Sequence, residues 1–465
     1  MRHSSFYVIA LILFLTACKL GQPYERADYV NSLSENYRFS DNRDSIRVDV
    51  FWWEMFKDTV LQDLIRKGID NNQDLNIAAL RIVEAELQFN IVRADLSPVI
   101  NYGVGGGYDY QSSNGGIGSA SGSITASYQI DLWGRLRNLR DASYSEYLAT
   151  QEGYKSLMIT LISQIADSYL LLRDIDNRLL IAESTLKSWQ ENYDIIVSRN
   201  RAGLVSDVNV KQAIIQTEEA VSSIEAFKRL RGLTENTIAI LIGDPPLTIA
   251  RGIPLQDQDF STEIPIGLPS ELLSRRPDLM AAERRLEAQT ARIGAAEALQ
   301  YPQLTLSADM GGSFVNPAFF FAGLGGQLFG PLFNMKANKR RFEIEKVRTE
   351  QLLLDYEATY IAAISEVENA LISMETYQLE LESRIRQTVA AQEALDLSWV
   401  RYENGVTSYL EILDLQRSQF SALLKASETM QLRLNAYVDL YRALGGGWRS
   451  EVDSPQIEAR IELKN

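Results

Sequence analysis

Histidine and cysteine are nearly absent from this sequence of 465 residues. His3 is its one histidine and Cys18 its one cysteine, and both lie at the N-terminus. If that segment is removed, no imidazole base, thiol nucleophile, disulfide or zinc site of the usual kind remains. Carboxylates could still support an enzyme, but paired acids such as Glu218 and Glu219 lie in ordinary helical charge patterns. We therefore predict that the chain is not an enzyme and has no catalytic residue, metal site or cofactor.

Positive charge and long apolar runs are scarce as well. The formal net charge is −15, so nucleic acid is not an expected partner. No run of eighteen or more apolar residues occurs, so the sequence offers no transmembrane helix. These two absences remove nucleic-acid binding and helical membrane spans from the possible functions.

The N-terminus has the pattern of an exported lipoprotein. Arg2 precedes the apolar run 6–15, which has signal-peptide length and is too short to span a bilayer. The following Leu15-Thr16-Ala17-Cys18 resembles a bacterial lipobox, in which the cysteine becomes the acylated first residue. An ordinary secretory signal with a chance cysteine is the alternative. The position of the only cysteine favours a covalent lipid on Cys18, and Lys19 after it favours the outer membrane.

The two halves of the chain share short motifs in the same order. Each motif of the first half has a counterpart 200 to 204 residues later. The pairs are 71–75 with 275–279, 96–98 with 300–302, 132–134 with 332–334, 202–206 with 404–408, and 241–243 with 443–445. One such match is weak, but five in register predict a tandem repeat.

The repeat and a proline-rich segment between its copies give the domain plan. Five of the twelve prolines lie in 244–269, which we predict to be an extended crossover. The predicted segments are a signal peptide (1–17), an acylated extended segment (18–56), repeat 1 (57–243), the crossover (244–269), repeat 2 (270–447) and a C-terminal tail (448–465).

Alternating apolar and polar residues predict one strand hairpin in each repeat. A soluble sheet with one wet face would alternate in the same way. However, the runs have the length of tilted membrane-crossing strands, and aromatic residues gather at their ends. Four strands are too few to close a barrel wide enough for a pore, and a sheet with open edges is not tolerated in lipid. Several chains are therefore expected to share one barrel. The predicted strands are 99–111, 122–133, 302–312 and 319–333.

Two segments almost free of helix breakers predict very long helices. Proline is absent from 134–201 and from 334–404, and a continuous helix of either length would extend roughly 100 Å. Apolar residues in the first follow a heptad pattern, as in Leu172, Ile175, Leu179 and Ala182. Each helix is followed by a returning one, 206–241 or 408–444. A plain coiled-coil protein would explain these helices well but would not explain the strands.

This combination resembles the TolC-like outer-membrane efflux channel family, in the lipoprotein branch of pump-coupled (RND-type) exporters. The resemblance covers about residues 50–447. Its motifs are Trp53 with Phe56, the run 131–135 (Asp-Leu-Trp-Gly-Arg), and the two runs 268–273 and 275–279, which end in Arg-Arg-Pro-Asp-Leu.

The resemblance implies an α+β membrane protein and a set of partners. Three chains would each give four strands to a twelve-stranded β-barrel, continuous with a periplasmic α-helical barrel. The partners would be a periplasmic adaptor (membrane fusion protein), an inner-membrane pump and outer-membrane lipid, with no nucleic acid. The implied function is an outer-membrane exit duct that passively conducts small molecules once the partners open it. A periplasmic coiled-coil adaptor or scaffold lipoprotein without a pore is the alternative.

The resemblance also assigns a periplasmic tip to the turns at Gly203 and Gly405. Glu411 and Asp414 lie three residues apart, so both can face one side of a helix. In the family, acids at these positions form rings around the aperture and favour cations; otherwise they belong to a solvated helix face. Tyr402 matches a tyrosine of the closing network. Asn209 stands where relatives often have Asp, and Thr407 where some have Arg, so a hydrogen-bonded or packed gate is expected rather than a salt-bridged one.

Overall fold

The computed structural model describes residues 19–25, 37–39, 55–111, 115–258, 260, 269, 272–315 and 318–446. Cys18, the predicted signal peptide and the tail 448–465 lie outside these ranges. The described residues form eight α-helices, one 3-10 turn (Leu255–Asp257) and four strands. The helices are α1 Thr59–Asn71, α2 Gln73–Ala94, α3 Arg135–Arg201, α4 Asp207–Leu241, α5 Leu272–Arg275, α6 Pro277–Ala298, α7 Ala337–Glu403 and α8 Tyr409–Ala443.

The four strands form one antiparallel sheet in the order β1-β2-β3-β4. Their bounds are β1 Val99–Gln111, β2 Gly115–Ile130, β3 Gln303–Ser313 and β4 Phe319–Phe329. β2 and β3 come from different repeats and pair along their length, with Ile124 opposite Met310. Because each hairpin supplies two neighbouring strands, β1 and β4 are left as the two edges of the sheet within the described chain.

Two predicted strands extend too far at their C-terminal ends. β2 was predicted as 122–133 but ends at Ile130, because the Asp131 carboxylate accepts hydrogen bonds from the backbone N–H groups of Leu136 (3.2 Å) and Arg137 (2.9 Å). These bonds cap α3 and stop the strand. β4 was predicted as 319–333 but ends at Phe329, since Gly330 is followed by Pro331, which lacks the N–H that a strand ladder needs.

β2 also begins earlier than the alternating pattern indicates. The strand starts at Gly115 and pairs with β1 from the first residue, where Gln111 lies opposite Gly115. Glycine and serine make up most of this first half, so the sequence carries no clear alternation there from which a strand could be predicted.

The chain divides into two compact units. The first comprises 1–32, 80–153 and 278–359 and contains the sheet and the N-terminal parts of α3 and α7; the second comprises 33–79, 154–277 and 360–465 and contains the rest of these two helices, the turns after them and the returning helices α4 and α8. Each long helix, α3 and α7, has 67 residues. Among the described residues, no helix is both long and apolar enough to cross a membrane.

A buried carboxylate organises part of the second unit. Asp58 accepts hydrogen bonds from the Val60 N–H at 2.9 Å, which caps α1, and from the Tyr169 hydroxyl on α3 at 2.9 Å. It also accepts from the Ile253 N–H and the Gln258 side chain, both at 2.8 Å. A buried charge is tolerated where several donors surround it. Asp58 therefore fastens the proline-rich crossover to α1 and α3.

The repeat is visible in equivalent contacts where the returning helices end. In repeat 1 the Asn72 amide donates to the Leu241 carbonyl at 2.9 Å, and in repeat 2 the Arg276 guanidinium donates to the Ala443 carbonyl at 2.9 Å. Arg276 also pairs with Glu366 at 2.8 Å. The second arginine of the Arg-Arg-Pro-Asp-Leu motif is thus a structural residue that closes a helix end and binds α7.

Candidate functional site: a two-faced sheet and a helical tip

The two faces of the sheet differ in chemistry. In all three strand pairs, even-numbered residues lie opposite even-numbered ones, so each face keeps one parity across the sheet. The even face is apolar, and one of its rows runs Tyr102, Ile124, Met310 and Ala322. The neighbouring row of the odd face runs Asn101, Thr125, Asp309 and Gly323.

Large apolar side chains of the even face are exposed in the single chain. Tyr102 is 86% exposed, Val104 84% and Leu324 91%. An exposed apolar surface of this kind marks contact with lipid or another apolar partner. The odd face carries mostly glycine, serine, threonine and glutamine, with Phe319, Phe321 and Phe329 as aromatic exceptions on β4. The sheet therefore has one face suited to lipid and one suited to water.

The junction between β2 and α3 is held by polar contacts within the first unit. Trp133 donates through Nε1 to the Pro302 carbonyl at 2.7 Å and stacks on Tyr301. The chain just after Cys18 packs on the same junction, because the Leu20 N–H donates to the Trp133 carbonyl at 3.1 Å. Lys19 forms an ion pair with Asp141 at 2.6 Å. Residues 19–21 are thus bound where the sheet meets the first long helix.

The turns at Gly203 and Gly405 share one backbone geometry. Both glycines have left-handed φ angles, +75° and +73°, as glycine readily adopts. In each turn two N–H groups bond back to the last helical carbonyls in the pattern of a Schellman motif. The bonds are Gly203 to Asn200, Leu204 to Arg199, Gly405 to Tyr402 and Val406 to Arg401.

Side chains from three helices, α3, α7 and α8, pack together beside these turns. Tyr402 on α7 is buried, with Tyr409 on α8 at 5.8 Å and Trp399 at 5.9 Å between ring centroids. The Arg199 guanidinium on α3 lies 5.0 Å above the Tyr402 ring, within cation–π distance. The Tyr402 hydroxyl is buried and has no hydrogen-bond partner among the described residues. Tyr402 thus links the tips of the two helix pairs.

Glu411 is bound to its own turn. Its carboxylate accepts hydrogen bonds from Ser398 at 2.9 Å, Arg401 at 3.3 Å and the Thr407 hydroxyl. These hydroxyl donors, Thr407 first and then Ser398, hold the pKa of the Glu411 carboxyl below its ordinary value. The threonine at position 407 therefore ties the acid into the turn as a neutral donor.

Asp414 and Asn209 are in more open surroundings. Asp414 is exposed and forms an ion pair with Arg417 three residues along α8, at 3.0 Å. Asn209, the repeat-1 counterpart of Glu411, is half-buried, and the Ser206 hydroxyl lies 3.4 Å from its side-chain oxygen. In repeat 1 the turn is instead braced by Asn200, whose amide donates to the Val205 carbonyl and the Asp207 carboxylate, both at 3.0 Å.

Several of these contacts were not found from the sequence. Arg417 has a readable signal, since an acid and a base three apart on a helix commonly pair. Ser398 and Arg401 lie across the turn from Glu411, and Arg199 comes from the other repeat, so spacing gives no signal for them. No group of three or more His, Cys, Asp or Glu side chains within the described ranges is arranged to hold a metal ion.

Known proteins resemble this chain over nearly its whole length. The family model described as outer membrane efflux protein matches residues 64–244 and 268–446. The toluene efflux pump outer membrane protein TtgC of Pseudomonas putida is 31% identical, with 92% of this chain and 91% of TtgC covered. The outer membrane protein OprJ of Pseudomonas aeruginosa is 32% identical, with 96% of this chain and 97% of OprJ covered.

A solved channel has the same fold. The open-state MtrE outer membrane channel of Neisseria gonorrhoeae superposes with a TM-score of 0.85 at 30% identity, covering 92% of this chain and 98% of MtrE. This likeness confirms the predicted combination of strand hairpins and long helices. The resemblance read from the sequence motifs is confirmed as well: the chain belongs to the outer membrane efflux protein family.

Proposed function

We propose that three copies of this chain form the outer-membrane exit duct of a tripartite efflux system. The duct conducts small molecules passively from the periplasm to the exterior, while an inner-membrane pump supplies the energy and a periplasmic adaptor opens the duct. We propose no catalytic activity and no resident cofactor. The observation that carries the proposal is the parity of the sheet, which separates an apolar face from a polar one across four strands.

The shared barrel follows from the edges of the sheet. β1 and β4 are edge strands within the described chain. Unpaired backbone groups cost several kcal/mol each in hydrocarbon, so an open edge must be closed before the sheet can stand in a membrane. Pairing β4 of one chain with β1 of the next would close twelve strands from three chains. The even face would then contact lipid and the odd face would line the lumen.

We assign the long helices to the periplasmic part of the duct. With 67 residues each, α3 and α7 would extend about 100 Å, several times the thickness of a bilayer core. Their exposed faces carry many charged residues, which belong in water. The helices are therefore assigned to the periplasm, with the Gly203 and Gly405 turns at the end that a pump or adaptor meets.

The proposed lipid anchor agrees with the binding of residues 19–21. Lys19 and Leu20 contact the start of α3, which follows directly on β2. An acyl chain on Cys18 would thus begin near the membrane surface, where it can insert. Since one acyl chain binds membranes only weakly, we expect the anchor to act together with the strands.

The proposed gate is the set Tyr402, Asn209, Glu411 and Asp414. Three copies of Asp414 would form an acidic ring at the aperture, weakened by the neighbouring Arg417 of each chain. Glu411 contributes differently, because its carboxylate is held by three donors of its own turn. We therefore assign Glu411 to holding the turn, Tyr402 to packing the two helix pairs, and Asp414 to the electric field.

Planar-bilayer recording on the purified full-length protein tests this function. We expect discrete single-channel currents from a trimer that dissociates on heating. The matched variants are Leu324→Arg on the even face and Gln327→Arg on the odd face of β4. A charge on the lipid face at mid-membrane costs about 2–4 kcal/mol, whereas a lumen charge does not, so Leu324→Arg should lower insertion and Gln327→Arg should not. A folded protein without conductance would instead support the pore-less adaptor.

A further inference from the structure

The junction between β4 and α7 is far more open than its counterpart in repeat 1. Leu332, Phe333 and Met335 are 104%, 86% and 77% exposed. The repeat-1 counterparts of the first two, Leu132 and Trp133, are only half-exposed, and residues 19–21 pack beside them. The junction of repeat 2 therefore presents apolar side chains that nothing in the described chain covers.

A cluster of cations follows these apolar residues. Lys336, Lys339 and Arg340 are exposed; Lys336 directly precedes α7, and Lys339 and Arg340 lie in its first turn. None of the three forms an ion pair within the described part of the chain. We call the exposed apolar residues Leu332, Phe333 and Met335, together with these three cations, the junction patch.

At the start of the first long helix, α3, the corresponding cations form ion pairs. Both long helices have no acidic residue in the first turn. In repeat 1 the cations have partners: Arg137 pairs with Asp131 at 3.2 Å, and Arg140 with Asp141 at 2.5 Å. Cations at a helix start are repelled by the positive end of the helix dipole. The repeat-2 cations carry this repulsion without an acid to offset it, so an anion from outside the chain would stabilise them.

The backbone of the junction patch is also unusual. Met335 and Lys336 have left-handed φ angles of +50° and +62°, and they are the only described residues other than glycine that do. Such a conformation costs on the order of 1 kcal/mol or more per residue and is retained mainly at functional positions.

We propose that the junction patch binds the headgroups of anionic phospholipids in the periplasmic leaflet of the outer membrane. The apolar residues would enter the acyl region, and Lys336, Lys339 and Arg340 would contact the lipid phosphates. A basic cluster beside exposed aromatic and aliphatic residues is the usual composition of a membrane-surface contact. The patch lies in the chain between the end of β4 and the first turn of α7. The inference rests on the proposed function, which puts the strand ends at the membrane surface.

Lipid retention measured by native mass spectrometry tests the proposal. The full-length protein in neutral detergent is given equal amounts of phosphatidylglycerol and phosphatidylcholine, and the lipids that remain bound are counted. We expect the wild type to retain phosphatidylglycerol preferentially. The variant Lys336→Gln/Lys339→Gln/Arg340→Gln should lose about tenfold or more of that preference, because each cation near an anionic surface adds to the attraction.

A control variant removes the same charges elsewhere. The control residues are Lys187 on α3, Arg229 on α4 and Lys425 on α8, all of them exposed. Like the patch cations, they are two lysines and one arginine. Lys187→Gln/Arg229→Gln/Lys425→Gln should keep the phosphatidylglycerol preference. Equal retention of both lipids by the wild type, or equal loss in both triple variants, would overturn the proposal.

The same spectra separate lipid from a neighbouring chain as the occupant. If the patch contacts another copy, the Lys336 triple variant will lose trimer mass rather than lipid, and the lipid proposal is then wrong. Conductance is recorded in parallel. A conducting wild type without lipid preference would overturn this inference alone, whereas a protein that never conducts would overturn the proposed duct.

Discussion

The two turns at the tip have the same backbone and different side chains. Gly203 and Gly405 occupy equivalent left-handed positions with the same pair of returning hydrogen bonds. Repeat 1 braces its turn with the neutral amide of Asn200, whereas repeat 2 has Tyr402 at that position and braces its turn with Glu411. The two turns thus share their backbone geometry, whereas the tyrosine at position 402 and the acid at position 411 are replaced in repeat 1 by Asn200 and Asn209.

This difference in side chains indicates that the two turns have separate roles. The repeat-1 turn is held by a neutral amide, which donates to the Val205 carbonyl and the Asp207 carboxylate. The repeat-2 turn depends on a carboxylate and presents the ring that contacts Arg199 of repeat 1. We therefore expect substitutions of Tyr402 and Glu411 to change both stability and gating, and substitution of Asn200 to change stability alone.

Tyr402→Ala should have the largest effect. It removes a buried ring from the packing between the helix pairs, which costs about 3 kcal/mol in the free energy of unfolding. Chemical unfolding in detergent measures this, and channel recordings should show a higher open probability. Tyr402→Phe is the control: the hydroxyl has no partner in the described chain, so this variant should unfold like the wild type. A large loss in Tyr402→Phe would reveal a partner on a neighbouring subunit.

Asn200→Ala should have the next largest effect. The change removes two hydrogen bonds, to Val205 and Asp207, at a net cost of about 1–2 kcal/mol in the free energy of unfolding. The same unfolding measurement applies, with Asn209→Ala as the control because Asn209 makes only a long contact with Ser206. Altered gating in Asn200→Ala at unchanged stability would contradict the division of tasks between the repeats.

Gly203→Ala and Gly405→Ala should destabilise the protein equally. In both turns an added Cβ meets no atom within 4 Å, so the cost is the left-handed backbone alone, about 1 kcal/mol each. Gly153→Ala within α3 is the control with the opposite sign, because alanine is preferred to glycine in a helix interior. Unequal losses at 203 and 405 would show that the two turns differ in more than side chains.

Acid should loosen the repeat-2 turn. The pKa of Glu411 is lowered in the folded protein, so its contribution to stability is complete above the ordinary carboxyl pKa. That contribution is lost as the pH falls through the lower, folded value. Channel open probability measured as a function of pH should therefore rise at acidic pH in the wild type. The rise should be absent in Glu411→Gln, and a persistent rise would assign it to another group.

Charge changes next to the aperture should have the smallest effect. Asp414→Asn should lower the preference for cations over anions, and Arg417→Gln should raise it, because the two side chains form an exposed ion pair. Reversal potentials in a salt gradient measure both. Shifts of the same sign, or none, would remove Asp414 from the acidic ring.

Helices and strands could be predicted from the sequence where apolar residues recur at regular spacing. The absence of proline and the heptad pattern predicted helices close to α3 and α7, and heptad residues such as Leu172 and Ala182 are buried. β1 and β3 were readable because their polar and apolar residues alternate. The start of β2 was not, since its glycines and serines pair by backbone alone.

The contacts that give the tip its character could not be predicted from one sequence. Arg199 and Tyr402 are about two hundred positions apart and meet only because the two repeats pack together. The hydrogen bonds from Ser398 and Arg401 to Glu411 likewise depend on the conformation of the turn between α7 and α8. Such residues show no periodicity, and an acid on an exposed helix face looks the same whether it is free or bound.

The most direct test of the central claim is to probe the two faces of the sheet with single cysteines. In a chain whose Cys18 is replaced by alanine, Ile124→Cys and Thr125→Cys put a thiol on the even and the odd face of β2. A charged, water-soluble thiol reagent should reduce single-channel conductance through Thr125→Cys and leave Ile124→Cys unaffected. The account is contradicted if both positions respond alike, or if only Ile124→Cys does.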